Sequence, residues 1–357
     1  MKHRINNLHM SMNEKNIDGM VIMKPENRMY MSGFTGSSGI VIVSAKENVL
    51  LTDFRYIEQA AIEAENFKIV QHGPSVMDSI KETVFDMGIT RLGFENDFMT
   101  YQTFESAKQR LTGTSLIATN SIIENLRMIK NEDEIQSLLK AADIADKTFE
   151  HIVQYIKAGV TEIEVAIEID YHMRKIGSMR NSFPTIVASA ERGSLPHAQP
   201  SSRKIANGDF ITMDFGAVID GYCSDLTRTV ILGKSSEEQK RVYNIVLESQ
   251  KIALDSISAG MPGCDIDLKV RKYMGKFDLD KYFGHGLGHG VGLYIHENPR
   301  LSQTSTDILA PGHAVTVEPG IYIPDWGGVR IEDLVIIMDD HVINLTKSAK
   351  EWGEMQL

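Results

Sequence analysis

The stretch MDFGAVIDGYCSDLTRT, residues 213–229, decides the fold of this chain. Two β-rich runs flank Asp220-Gly221, a dipeptide suited to a two-residue hairpin turn because both residues tolerate positive φ. With the chain folded about that turn, Asp214 lies opposite Thr227. Asp225, two residues before Thr227, points to the same face, so the two carboxylates become diagonal cross-strand neighbours able to share a cation. A second acidic pair follows the same logic. A loop centred on Asp325 in the stretch PDWGG (324–328) places Glu318 directly across from Glu332. His289, in GHGLGHGVGL, adds one imidazole from a segment whose glycines at 284, 286, 288, 290 and 292 let the backbone approach closely. Taken singly, each of these residues could be an ordinary turn or solvated residue. Four carboxylates flanked by apolar residues are harder to dismiss together, since their burial without a cation or base is costly. A hard, oxygen-rich set with one imidazole suits a pair of divalent cations such as Mn²⁺ or Co²⁺ better than a structural zinc, and a two-metal hydrolase is the leading expectation.

Composition leaves room for this reading and closes others. The chain has 357 residues, 42% hydrophobic and 24% charged, enough to bury a sizeable core and divide into two domains. A formal charge of −11 and a pI near 5.5, with Lys and Arg scattered, give no basic field for nucleic acid or anionic lipid. No apolar run reaches the roughly 18 residues of a spanning helix, and MKHRINNLHMSMNEKN lacks the apolar centre of a signal peptide. The expectation is a cytoplasmic protein with no membrane or nucleic-acid partner. Cys223 and Cys264 are too few and too far apart for a disulfide framework and are expected to be reduced.

The fold class expected is α+β: a small α/β domain over 1–123 and a second domain over 124–357. In the first, Met20–Met23, Ile40–Val43, Val49–Thr52, Phe67–Val70 and Leu92–Phe94 read as strands, with helices over Ser75–Met87 and Tyr101–Leu111. The glycine-rich Gly33–Gly39 has neither a dinucleotide-binding register nor a P-loop lysine, and reads as a turn or a cleft wall. Asn131 with Glu134, and Thr161 with Glu164, are capping-box patterns that start two helices, the second ending near Gly177. Ser236–Ile257 and Asp265–Met274 read as further helices, and the remainder as strands.

At these residues the chain resembles the Xaa-Pro peptidases, prolidase and aminopeptidase P, of the pita-bread (creatinase and methionine aminopeptidase) fold. The similarity runs through MYMSGFTGSSG and LLTDFRYIEQA in a creatinase-like N-terminal domain. In the catalytic domain it runs through LRMIKNEDEI, IVASAERGSLPHAQPSSRKI, MDFGAVIDGYCSDLTRT, GHGLGHGVGLYIHENPRLS, TVEPGIYIP and GVRIEDLVII. It implies that Asp214, Asp225, His289, Glu318 and Glu332 bind two divalent metals, Mn²⁺ first with Co²⁺ or Zn²⁺ as alternatives, and that Asp225 and Glu332 bridge them. It further implies that His296 contacts substrate and assists proton transfer, that His197 and His285 line the pocket, that Arg330 orients the carboxylates, and that Arg300 meets a substrate carboxylate.

The activity implied is hydrolysis of the N-terminal Xaa-Pro bond of a dipeptide or short peptide. Two metals about 3.5 to 4 Å apart activate a bridging hydroxide in such sites, with Glu318 accepting its proton and His296 stabilising the oxyanion. Proline makes a tertiary amide without an N–H, which calls for a dedicated pocket. The resemblance also implies a homodimer. Prolidase and aminopeptidase P share all these motifs, so cleavage of longer peptides stays open at this point, as does a peptide-binding module without catalysis; the complete ligand set argues against the latter and against metal-independent creatinase.

Overall fold

Short β-branched runs punctuated by helices build the first of two units, Met1–Arg127; the second is Met128–Leu357. The computed structural model describes residues 2–357. In chain order the first unit contains α1 (Lys2–Glu14), β1 (Gly19–Ile22), α2 (Pro25–Ser32), β2 (Ile40–Ser44), β3 (Asn48–Thr52), α3 (Ile57–Glu63), β4 (Lys68–Gln71), α4 (Val76–Asp86), β5 (Arg91–Glu95), α5 (Tyr101–Arg110) and β6 (Ser115–Thr119), with α6 (Ile122–Met128) at its end. The strands form one mixed sheet in the order β4-β3-β2-β1-β5-β6. Its central strands are buried on both faces, and Val21, Ile42, Leu51 and Leu92 pack on Ile80 and Val84 of α4. The five strands and two helices expected from periodicity are present. The boundary expected after residue 123 falls inside α6.

Gly33 caps α2 with φ +80°, and the Arg28 guanidinium donates to the carbonyls of Gly36 and Gly39 at 2.6 and 2.9 Å. The glycine-rich segment is therefore a turn closed on its own unit by a buried arginine.

The second unit contains α7 (Glu132–Tyr155), α8 (Glu162–Lys175), β7 (Ile186–Ser189), β8 (Phe210–Phe215), β9 (Val218–Ile219), β10 (Tyr222–Cys223), β11 (Leu226–Ile231), α9 (Glu237–Ser256), α10 (Gly263–Gly275), β12 (Gly288–Gly290), β13 (Glu297–Leu301), β14 (Ala314–Val317), β15 (Gly320–Ile323), β16 (Gly327–Arg330), β17 (Asp333–Ile337) and β18 (Val342–Asn344). Capping boxes start α7 at Asn131/Glu134, α8 at Thr161/Glu164 and α9 at Ser236/Gln239, each pairing an orphan helix N–H with a side-chain oxygen in both directions. The strands form a three-stranded sheet, β11-β8-β7, a five-stranded sheet, β13-β12-β14-β17-β18, and two two-stranded pairs, β10-β9 and β15-β16. Phe149 and Ile152 of α7, Ile169 of α8, Val246 of α9 and Val270 of α10 join Phe215, Val230, Val315 and Val335 of the sheets in one buried core. Cys223 and Cys264 form no disulfide, and among the described residues no helix is long and apolar enough to cross a membrane.

Both expected hairpin registers are found. Asp220 and Gly221 take φ +51° and +85°; Asp214 faces Thr227 and Ile219 faces Tyr222 about that turn. Val317 faces Asp333 and Gly320 faces Arg330 in one register about Asp325. The two hairpins then meet edge to edge, because the Glu332 N–H donates to the Thr227 carbonyl at 3.1 Å and the Thr229 hydroxyl to that of Arg330 at 3.0 Å.

Candidate active site

Each hairpin interrupts its own ladder at Asp225 in the first and at Glu318 and Glu332 in the second, while Asp214 stays in the ladder opposite Thr227. The β8–β11 ladder stops at Phe215/Leu226 and resumes at Val218/Cys223, leaving Asp225 in the gap. Gly216 makes this possible, since a Cβ there would come within 1.9 Å of the Ser224 carbonyl oxygen. The second ladder stops at Val317/Asp333 and resumes at Gly320/Arg330, leaving Glu318 and Glu332 in its gap. Strand interruption frees these side chains from strict alternation and aims them at a common point. Ligand oxygens of Asp214, Asp225 and Glu332 lie within 4.8 Å of one another.

His289 reaches the same point from β12, directly across from Arg300 of β13 and beside a bulge at His289/Gly290. Cβ atoms at Gly288 and Gly290 would come within 2.0 and 2.2 Å of neighbouring carbonyl oxygens, so the close approach expected of these glycines holds there; at Gly284 there is open space and that expectation fails. The His289 Nδ1 lies 3.0 Å from the Gly290 carbonyl, which assigns the ring proton to Nδ1 and leaves Nε2 a lone pair. That lone pair faces Glu318 Oε1 at 3.4 Å and Asp225 Oδ2 at 3.6 Å.

This is an arrangement of acceptors facing acceptors. Asp214 Oδ1 and Glu332 Oε1 are buried with no hydrogen-bond partner among the described residues. Burial first, then the neighbouring Glu332, Asp214 and Glu318, hold the Asp225 carboxyl well above its usual range; burial, then Glu318 and Asp214, do the same to Glu332. Burial also lifts Glu318 to about 7, against the opposing pull of Arg330. Burial depresses His289 to about 3, so its ring is neutral at physiological pH. Orphaned oxygens, an inward-facing imidazole lone pair and mutually repelling carboxylates are the donor set of a divalent cation site, and the residues present fit one.

A polar frame fixes these donors. The Thr227 hydroxyl donates to Glu332 Oε2 at 2.7 Å, and that of Thr316 to Glu318 Oε1 at 3.1 Å. Arg330 donates from Nη2 to Asp214 Oδ2 at 2.6 Å, from Nε to Thr227 Oγ1 at 3.0 Å and from Nη1 to the Tyr322 hydroxyl at 2.8 Å. Tyr322 in turn meets His285 Nε2 at 2.8 Å, while His285 Nδ1 bonds the Gly286 carbonyl at 2.7 Å. Burial, then Arg330, lowers His285 to about 4, so this ring too is neutral, with both nitrogens committed. It offers a substrate its edge rather than a hydrogen bond. Sequence reading passed over Tyr322, Thr227 and Thr316. Alternation could have found Tyr322, four residues beyond Glu318 in the same hairpin arm; Gly320 between them leaves space that the tyrosine hydroxyl end fills.

A pocket of about 470 Å³ opens onto the cluster. Asp214, Asp225, His289, Glu318 and Glu332 line it with His197, His285, His296, Arg300 and Arg330, so every residue expected at the site contributes to one cavity. Phe183, Pro184 and Ile186 form an apolar wall that sequence reading did not identify. His197 and His296 are exposed. The His296 ring stands edge-on to His289 at 4.6 Å, and burial of its inner part, then Arg300, lowers its pKa. A larger cavity of about 720 Å³ lies in the first unit between β3, β4 and α4; Lys68 is the one basic residue in its lining, and it is remote in sequence from every site residue.

Comparison with known proteins agrees with this geometry. Residues 136–339 match the model of metallopeptidase family M24, and residues 4–129 match the creatinase/prolidase N-terminal domain. The chain belongs to the M24 metallopeptidases, metal-dependent enzymes of the pita-bread fold. It is 38% identical over 352 residues to an Xaa-Pro dipeptidase of Pyrococcus furiosus, covering 98% of this chain and 99% of that one. The solved structure of an Xaa-Pro dipeptidase from Bacillus anthracis is similar with a TM-score of 0.97 at 45% identity, covering 100% and 99% of the two chains. An X-Pro aminopeptidase from Thermotoga maritima is similar with a TM-score of 0.90 at 36% identity, covering 94% and 97%.

Proposed function

We propose that the chain is a metal-dependent Xaa-Pro dipeptidase that holds two divalent cations, Mn²⁺ first among them, through Asp214, Asp225, His289, Glu318 and Glu332. The observation that carries this reading is the buried carboxylate cluster facing one pocket, in which Asp214 Oδ1 and Glu332 Oε1 have no hydrogen-bond partner among the described residues. Similarity to the two dipeptidases supports the dipeptide over longer peptides, and the intact donor set supports catalysis over peptide binding alone. We extend the reading to a homodimer, as the family resemblance implies, and to the cytoplasm, as the sequence pattern suggests.

Divalent cations in such a set supply Lewis acidity toward a peptide carbonyl and lower the pKa of water to near neutrality. The chain's own residues bind, orient and carry protons. The Glu318 carboxylate, held by the Thr316 hydroxyl, is placed to take and return a proton. His296, neutral and edge-on to His289, donates from its ring N–H to the scissile carbonyl oxygen as negative charge grows there. Arg300, across from His289, receives the free carboxylate of the dipeptide, ending the pocket after one residue beyond the scissile bond. The proline ring has no N–H to satisfy, and it lies against Phe183, Pro184 and the His285 edge.

The test is release of the N-terminal residue from Ala-Pro, Ala-Pro-Ala and Ala-Ala-Ala by metal-free protein resupplied with Mn²⁺, Co²⁺ or Zn²⁺. Cleavage of Ala-Pro is expected; cleavage of Ala-Pro-Ala alone would make it an aminopeptidase, and no metal-dependent cleavage would sink the enzyme reading. Tyr322→Phe removes the hydroxyl between Arg330 and His285 and leaves a buried guanidinium N–H and an imidazole nitrogen less well satisfied, a loss of about 1–3 kcal/mol. It is expected to lower kcat/KM for Ala-Pro roughly tenfold, and unchanged steady-state kinetics would remove Tyr322 from the working site.

A further inference from the structure

The segment that opens the second unit, LRMIKNEDEI, contains a lysine with no place in the chemistry above. Lys130 Nζ meets Glu297 Oε2 at 3.1 Å across 167 positions of sequence, with side chains 1% and 7% exposed. An ammonium group gives up its hydration in such a place only against a fixed partner. The lysine backbone is itself held, its N–H donating to the Gly312 carbonyl at 2.8 Å, with Ile129 bridged to His313.

Glu297 has further ties to the site. Its Oε1 accepts the Tyr294 N–H at 3.1 Å, closing the turn over 294–297. A Cβ at Gly292 would lie 2.5 Å from the same carboxylate, so the turn folds directly over it. Glu297 also pairs with Gly290, on the far side of the bulge from His289. His296 is the residue immediately before it. The Glu297 carboxylate is buried against Lys130, while the imidazole of the residue before it lines the pocket, 4.6 Å from His289.

We propose that the Lys130–Glu297 ion pair is a positioning device for His296, holding the 292–297 turn so that the imidazole meets the scissile carbonyl oxygen. The role assigned to His296 rests on the dipeptidase reading; the geometric claim does not. Lys130 fixes Glu297, Glu297 fixes the turn through the Tyr294 N–H, and the turn fixes the ring. An apolar pair of similar size would fill the space without holding that N–H.

The experiment compares wild type, Glu297→Gln, Lys130→Met and Lys130→Arg as Mn²⁺-loaded full-length protein, together with His296→Ala and His296→Ala/Glu297→Gln. Glu297→Gln is expected to lower kcat for Ala-Pro by about 10- to 100-fold, the range for residues that orient a site from behind, with KM and Mn²⁺ stoichiometry by calorimetry retained. Lys130→Arg, which keeps the pair, should recover most of the rate. In the His296→Ala background Glu297→Gln should cost less than about twofold more, because two changes acting through one group do not add. The His296 Cε1–H resonance, recorded on Zn²⁺-loaded protein because paramagnetic Mn²⁺ would broaden it away, and assigned by its loss in His296→Ala, should move in Glu297→Gln. Losses that multiply in the His296→Ala background, Mn²⁺ binding that falls in step with kcat, or an unmoved resonance would each overturn the proposal. Should Glu297→Gln fail to fold, Lys130→Met is read by the same criteria; failure of both makes the pair purely structural and also overturns it. If wild type does not cleave Ala-Pro, the dipeptidase reading fails, and the resonance still decides the positioning claim.

Discussion

Asp225→Asn is expected to have opposite effects on the metal-free and metal-loaded protein. Asp225 is buried in a ladder gap within 4.8 Å of the ligand oxygens of Asp214 and Glu332. Without a cation its carboxyl is driven well above its ordinary range by burial and by Glu332, Asp214 and Glu318. An amide of the same shape removes one repelling charge and brings an N–H₂ that can donate to Asp214 Oδ1 or Glu332 Oε1, both without partners among the described residues. The metal-free variant should therefore unfold at a higher temperature than metal-free wild type. The loaded protein should lose, since an amide is a poorer, uncharged ligand for a hard cation. Electrophilic stabilisation by metal is worth several kcal/mol, so kcat for Ala-Pro should fall at least about a thousandfold, and the rise in Tm on adding Mn²⁺ should nearly vanish. Calorimetric titration with Mn²⁺ and a pair of melting curves decide the matter. A variant that binds Mn²⁺ like wild type would remove Asp225 from the ligand set.

The legible part of this site was the part set by local turn chemistry. Asp220-Gly221 requires two positive φ values, which fixes a type of turn, and the turn fixes which residues face each other; the same reasoning about Asp325 placed Glu318 opposite Glu332. Capping boxes marked the starts of α7 and α8 because they satisfy helix N–H groups within four residues of sequence. Elements without a local signature were missed. Five of eight residues of α2, PENRMYMS, are buried, including Asn27, Arg28 and Ser32, which leaves no amphipathic period to read. β6 is a short edge strand with one buried residue of five. Long-range polar pairs were also invisible: nothing near Lys130 announces Glu297, and nothing near Arg330 announces Tyr322 as the link to His285. The ladder gaps at the acidic residues belong to the same class, since they depend on two hairpins leaning on each other through Glu332 and Thr227.

The second large effect is a stability profile that reverses its slope with metal. Asp225, Glu318 and Glu332 have folded pKa values above their unfolded values of about 4. Each therefore contributes stability that is fully present below about pH 4 and lost as pH rises through its folded value, which for Glu318 is about 7. His285 and His289 run the other way. Their folded values, about 4 and about 3, lie below the unfolded value of about 6.5, so their contribution is complete above that pH and is lost as pH falls. The two trends oppose each other between about pH 4 and 6.5; above that the histidine contribution is flat and the carboxylates decide. Metal-free protein should thus lose Tm as pH rises from 6.5 through about 7, where Glu318 gives up its proton, with Asp225 and Glu332 acting in the same direction. With saturating Mn²⁺ the slope should reverse, because cations bind the deprotonated ligands and compete with protons less as pH rises. Asp225→Asn should flatten the metal-free slope by removing one of the three groups. Melting curves of chelator-treated and Mn²⁺-saturated protein at pH 6.5, 7.5 and 8.5 check all of this. Parallel curves with and without Mn²⁺ would mean that protons and metal do not compete for these carboxylates, and the cluster would then be no metal site.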